Sequence, residues 1–368
     1  MKRNFLITSL LITLIAISSF AQEYVVQVKP MDTRDWGYVN LEGDYILNPQ
    51  FRKCFSFSED GYAVIYEKKT GYYFINTKGE VLQAEIFNYH LIEAFGFGVQ
   101  GFANGFVPVF VDGGWGYMNI EGKLAIPAKY DKVSSFKNGY GIAQKVIGGD
   151  MHDDDDLYSG TKGEIQFYII DKKGNQKLVN VPNIKEIKWF SEGIAPFKTI
   201  EGFYGFLNSN GEVIIEPQFL SVGYFNEGLA WAKTNNKTIG YLNTEGEWII
   251  KPQFKKANDF ETESGMARVM QEKEWEYINT TGDINTFSDS EYISAFHDGL
   301  AKGKKDDKLG FYNNKLEWVI EPQFEGVRNF KNGYAAVKSN GAWGLIDKQG
   351  NWVIQPTFAA IKDVVKIN

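Results

Sequence analysis

Asp35-Trp36-Gly37-Tyr38-Val39-Asn40-Leu41-Glu42-Gly43-Asp44-Tyr45-Ile46-Leu47-Asn48-Pro49-Gln50-Phe51 reads as strand, tight turn, strand. Asn at the first turn position and Gly at the fourth suit a type I turn closed by a left-handed residue. The same turn returns as Asn76…Gly79, Asn119…Gly122, Asp171…Gly174, Asn208…Gly211, Asn243…Gly246, Asn279…Gly282 and Asp347…Gly350. In one more copy Asn313 is followed by Leu316, which predicts a changed turn there. The slots aligned with Trp36 are Tyr72, Trp115, Phe167, Tyr204, Ile239, Trp275, Leu309 and Trp343, so nine copies follow one another at spacings of 36, 43, 52, 37, 35, 36, 34 and 34 residues. A near-constant period in this range is the signature of a repeat architecture.

Alternation along a strand puts Trp36 and Tyr38 on one face and Val39 on the other. Both slots are apolar in every copy except where Tyr replaces an aliphatic, so the strand is expected to be covered on both sides. Gly37 leaves room for a close backbone or aromatic approach. The second strand carries Pro, as in Pro49-Gln50-Phe51 and Pro252-Gln253-Phe254, and proline suits a strand end or edge because it donates no ladder hydrogen bond. A Phe-led turn closing on Gly follows the first eight copies, from Phe57…Gly61 to Phe330…Gly333. No sustained helical periodicity is present after residue 21.

Trp-Gly followed by an aromatic, an aliphatic, Asn or Asp and a Gly-closed turn resembles the WG-repeat (KWG-repeat) family, and the resemblance covers nearly all of the chain after residue 21. Trp36-Gly37, Trp115-Gly116 and Trp343-Gly344 keep the literal pair, and the second and fourth copies depart most. The resemblance implies a β-rich interaction scaffold and offers no catalytic motif to carry over. The expected fold is all-β: tandem β-hairpin repeats in a curved solenoid or superhelix, with a closed propeller-like ring as the alternative. The unit of about 35 residues is shorter than the about 40–45 of a four-stranded propeller blade. The chain starts inside a unit, at Tyr24-Val25-Val26-Gln27-Val28, and ends past the Pro-x-Phe point. That offset can close a ring or leave a ragged solenoid end.

Residues 1–21 read as a signal peptide: Lys2 and Arg3, an apolar run over 5–17, then Ser19-Phe20-Ala21 before Gln22. Residues 22–368 are then an array of about nine repeats with insertions near 87–101 and 148–163. The expected location is outside the cytoplasm, in the periplasm, at the cell surface or in the medium, with no membrane span left after cleavage. A lone cysteine, Cys54, excludes an internal disulfide framework and reads as a small buried hydrophobe. A net charge of −7 argues against nucleic acid as a partner.

No catalytic residue, cofactor or metal is expected, and none of the three histidines, His90, His152 and His297, falls in a catalytic or metal motif. Asp153, Asp154, Asp155 and Asp156 are hard-cation ligands in type, yet they lack the spacing of a calcium loop, and a solvated acidic loop is the expectation. The aromatic slot after the turn is the better lead. It holds Tyr45, Trp248, Trp318 and Trp352, facing away from Trp36 across the hairpin. These form either a core layer or an aromatic row for stacking on sugars or an extended peptide. The expected function is a non-enzymatic binding scaffold for a protein or a cell-envelope glycan, with a secreted or periplasmic glycan-acting hydrolase as the alternative.

Overall fold

In the computed structural model, residues 23–94, 98–148, 163–285 and 292–368 are described. The expected signal peptide and the Asp153 to Asp156 run lie outside them, as does His152. All regular structure among the described residues is β. The sixth repeat shows the unit: Ser221–Val222, Ala230–Lys233, Ile239–Leu242 and Trp248–Phe254 form one antiparallel sheet in that order. The hairpin legible in the sequence is therefore the second half of a four-stranded sheet. Its first strand is the short segment that follows Pro-x-Phe of the preceding copy.

The eight turn glycines all have φ between 75° and 88°, as the turn reading requires. Leu316 departs from expectation. It adopts φ 67°, and its N–H still bonds Asn313 O at 3.1 Å, so the turn is unchanged and the leucine carries the strain. Its side chain is partly buried against the apolar cluster that contains Tyr277, Phe296 and Tyr312, which offsets that cost.

The Gly of Trp-Gly decides how far the fourth strand runs. A Cβ on Gly240 would lie 2.4 Å from Ile250 O and 2.7 Å from Pro252 N, and one on Gly310 would lie 2.3 Å from Ile320 O. The fourth strand crosses directly over the glycine, with a bulge on either side, and places its proline there, where no donor is needed. Every repeat with this Gly has a long fourth strand: Tyr45–Phe51, Leu124–Tyr130, Val213–Phe219, Trp248–Phe254, Trp318–Phe324 and Trp352–Ile361. Three repeats have Tyr73, Tyr168 or Glu276 instead. In the first two the fourth strand shrinks to the Ile75–Val81 bridge and to Gln176–Leu178; in the third, Ile284–Asn285 is the part of it among the described residues.

The ends of the array are joined. Strand Glu23–Pro30 pairs with Trp36–Val39 on one side and, on the other, with the end of Trp352–Ile361 and with Val365–Ile367. The C-terminal segment thus completes the first repeat, with Lys362 N–H donating to Gln27 O at 2.9 Å. Of the two ways of stacking the tandem hairpins, this pairing is that of the ring.

The core lies between repeats. Third-strand aromatics meet the turn phenylalanine of the next unit: Tyr38 on Phe57 at 4.8 Å, Tyr117 on Phe136 at 5.1 Å, Tyr241 on Phe260 at 4.8 Å and Phe311 on Phe330 at 4.6 Å. Where the slot is Tyr, its buried hydroxyl donates to a backbone carbonyl two residues before that phenylalanine, as Tyr38 does to Phe55 O at 2.7 Å and Tyr241 to Asn258 O at 2.8 Å. Of the two insertions, the one near 87–101 is partly structural. His90–Leu91 is the first strand of the third repeat's sheet, and Glu93–Ala94 pairs with Gly98–Val99 beside it.

Candidate functional site

The aromatic slot after the hairpin turn lies where register predicts, with Tyr45 opposite Val39, Trp248 opposite Leu242, Trp318 opposite Tyr312 and Trp352 opposite Ile346. The structure does not gather these rings. Trp248 and Trp352 are half-buried and sit edge-on to Phe219 and Phe324 of the preceding repeats, both at 5.9 Å. Trp318 stacks on Tyr312 of its own hairpin at 3.7 Å, and its indole N–H is buried without a partner. Tyr45 is the most open of the four, at 42% exposure. Cys54 is half-buried, accepts a bond from Gln27 Nε2 at 3.2 Å, and burial pushes its thiol up.

A different slot carries the open aromatic surface. The residue just before the turn phenylalanine is Ser56, Gly101, Ser135, Trp189, Tyr224, Asp259, Ala295 or Asn329 in successive repeats. Consecutive slots touch. The Trp189 and Tyr224 rings stack at 4.8 Å with an angle of 5° between planes, and Trp189 remains 46% exposed. Lys137 Nζ lies 3.9 Å from the Trp189 ring centre, a cation–π contact. Tyr224 N–H donates to Asp259 Oδ1 at 2.9 Å. Gly223 makes this possible, since a Cβ there would meet Asp259 Oδ1 and the Trp231 indole nitrogen. Burial raises the Asp259 carboxyl, against the lowering effect of these donors and of Lys137 and Lys188.

Trp189, Tyr224 and Lys137 border a cavity of about 540 Å³ formed by the first-strand segments of the fourth and fifth repeats. That volume is within the about 300–1,000 Å³ usual for ligand sites. Sequence reasoning missed this platform because it followed slots that repeat, and Trp189 occupies one that varies.

A second arrangement was also missed. In four turns the residue before the Gly accepts a hydrogen bond from the turn of the next repeat. Asp60 accepts from Gly105 N–H at 2.8 Å, Asn104 from Gly139 N–H at 2.7 Å, Glu192 from Gly228 N–H at 3.1 Å and Asp298 from Gly333 N–H at 2.5 Å. The signal was the polar residue standing immediately before each of these glycines. The turns converge, and residues of the turns that open the second, third and fourth repeats share a cavity of about 360 Å³ with Lys331 and Val365 from the other end of the chain. Among the described residues no group of three or more His, Cys, Asp or Glu could hold a metal, and no helix is long and apolar enough to cross a membrane.

Among curated proteins, none matches this sequence. Among solved structures, a eukaryotic initiation factor is similar at a TM-score of 0.56 and 11% identity, over 94% of this chain and 98% of that one. Apo AztD from Citrobacter koseri is similar at 0.40 and 10% identity, over 94% and 99%, and BamB from Moraxella catarrhalis at 0.37 and 13%, over 77% and 91%. At such identities the likeness to the initiation factor concerns the fold alone, and the other two are too remote to add to it. A model of the WG containing repeat matches residues 36–69, 115–145, 204–237, 239–275, 310–341 and 343–366, more than half of the chain. These six segments are the six repeats that have Gly under a long fourth strand; the copies with Tyr73 and Tyr168 fall outside them, and Glu276 follows directly on one. On that match, and on the repeated sheet that explains it, the chain belongs to the WG containing repeat family.

Proposed function

We propose that the protein is an exported, non-enzymatic binding scaffold, and that its ligand, a protein segment or a cell-envelope glycan, meets the Trp189–Tyr224 platform. The observation that carries this reading is the 46% exposure of Trp189 while it is held flat on Tyr224 beside a cavity of about 540 Å³. A large aromatic kept rigid and open supplies contact area at little cost in conformational entropy. The site's neighbours are fixed by structural slots on either side, so the platform is held in place before any ligand arrives.

The test is a panel of envelope glycans and extended peptides, measured by calorimetry with the wild type and Trp189→Ala. The reading expects a ligand whose affinity falls at least about tenfold in the variant, the equivalent of about 1.4 kcal/mol, with the thermal melt nearly unchanged. Equal binding by both proteins would remove the platform from the reading. Turnover of a glycan would favour the hydrolase alternative. Export rests on Lys2, Arg3 and the apolar run over 5–17. Mass spectrometry of the exported fraction should find a chain beginning at Gln22, and an intact Met1 there would refute cleavage.

A further inference from the structure

The cavity at the platform differs in charge from the chain as a whole. The protein carries a formal net charge of −7. The cavity is nevertheless lined by Lys132, Lys137 and Lys188 against one carboxylate, Glu186. Asp259 is the other acidic group near the platform, and its carboxylate is already engaged by the Tyr224 N–H and the Trp231 indole. Opposite charge focused in a concave site selects for an anion.

Lys137 is placed to change partners. Its ammonium lies over the Trp189 ring, and its side chain is otherwise exposed. An exposed cation–π contact is worth only about 0.5–1 kcal/mol. A ring-shaped ligand can therefore displace the ammonium from the indole face at small cost. The displaced ammonium remains beside whatever covers that face. Burial lowers the Lys137 pKa and the nearby Asp259 carboxyl raises it, so a further anionic partner would add to the favourable side of that balance.

Gln100, Gln144, Ser134 and Ser135 also line the cavity. Amides and hydroxyls beside a flat aromatic match the two sides of a sugar, which has an apolar C–H face and a rim of hydroxyls. We infer that this cavity takes an acidic glycan, with a sugar ring against Trp189 and its carboxylate against Lys137. The inference rests on the platform being the binding site and adds the chemical class of what it binds.

The experiment uses the full chain and four probes: hexamers of galacturonate and of mannuronate as acidic glycans, cellohexaose and maltohexaose as neutral ones. Kd is measured by calorimetry at low and high salt for the wild type, Trp189→Ala and Lys137→Gln, with thermal melts confirming that each variant folds. At least one acidic hexamer should bind about tenfold or more tighter than either neutral one at low salt, and the gap should narrow in about 1 M salt, where the Debye length is about 3 Å. Lys137→Gln should abolish the gap while sparing neutral binding. Trp189→Ala should weaken both classes. Neutral hexamers binding as tightly as acidic ones would overturn the acidic class and leave the platform standing. Acidic binding untouched by Trp189→Ala would overturn the platform as well. If no hexamer binds, the glycan inference fails, and a peptide lost on Trp189→Ala would still support the platform.

Discussion

Gly240→Ala tests why the six repeats with this Gly have a long fourth strand and the Tyr73 and Tyr168 repeats do not. The backbone at Gly240 is outside the left-handed region, so Ala meets no φ penalty, and fewer unfolded conformations would by themselves favour it by about 0.4–1 kcal/mol. Against this, the new Cβ would stand 2.4 Å from Ile250 O, 2.7 Å from Pro252 N and 2.9 Å from Lys251 C. All three are backbone atoms, and no side chain can turn away to make room. Shifting that backbone is an overpacking change of about 1–3 kcal/mol. The other outcome is detachment of Trp248–Phe254, which exposes Ile250 and Phe254, now 4% and 0% exposed. That would cost about 3–6 kcal/mol at about 1.5–3 per side chain. The cheaper route sets the result, a net loss of about 1–2 kcal/mol once the unfolded-state gain is subtracted. Hydrogen exchange reads it locally: Leu242 and Trp248–Phe254 should lose protection while neighbouring repeats keep theirs. An alanine variant as stable as the wild type, with protection unchanged along that strand, would refute the argument.

Gly246→Val should cost about 1–2 kcal/mol in denaturant unfolding, because φ is 84° and a left-handed L-residue is strained even where, as here, the nearest atom is 3.6 Å away; a loss below about 0.3 kcal/mol would contradict this. Removing residues 362–368 takes away buried Val364 and Val365 and the Val365–Ile367 pairing with Glu23–Val25; it should destabilise the first repeat by about 3–5 kcal/mol, and unchanged protection in Glu23–Pro30 would show that the ends are not held by this joint. Burial raises the Asp259 carboxyl above its unfolded value of 3.8, so its contribution is fully present below about that pH and is lost as pH rises through the folded value. Asn does not ionise, so Asp259→Asn should compare more favourably with the wild type at pH 7 than at pH 4 in urea melts; a flat or reversed difference would refute the direction.

The turn, the nine copies and the all-β class were legible because each rests on local chemistry: Asn and Gly at fixed turn offsets, alternation in the strands, and a period of about 35 residues. Three features needed tertiary information. The short first strand, such as Ser221–Val222, carries no pattern of its own, so the repeat reads as a hairpin until the partner strand is seen. Leu316 reads as a broken turn, yet it keeps the left-handed conformation, with its side chain against the cluster that contains Tyr277, Phe296 and Tyr312. Tyr73 and Tyr168 were visible as departures from Trp-Gly, but their consequence depends on a strand crossing within 3 Å of the glycine position, which sequence spacing does not encode.

The candidate site was hard to read for a related reason. Repeated aromatics such as Trp248 and Trp352 recur because each fills the same gap against the preceding unit's phenylalanine. A slot that recurs in every unit is solving a packing problem that every unit has. Recognition of one ligand needs one surface, so its residues belong in slots where packing leaves the identity free. The position before the turn phenylalanine is such a slot: it accepts Ser135, Trp189, Tyr224, Asp259 and Ala295 while the buried Phe beside it does not change. Two large aromatics in consecutive copies of that slot, stacked 4.8 Å apart and open on one side, are not required by the sheets beneath them. In an array whose units share one frame, the departures that packing does not explain are where binding is to be sought.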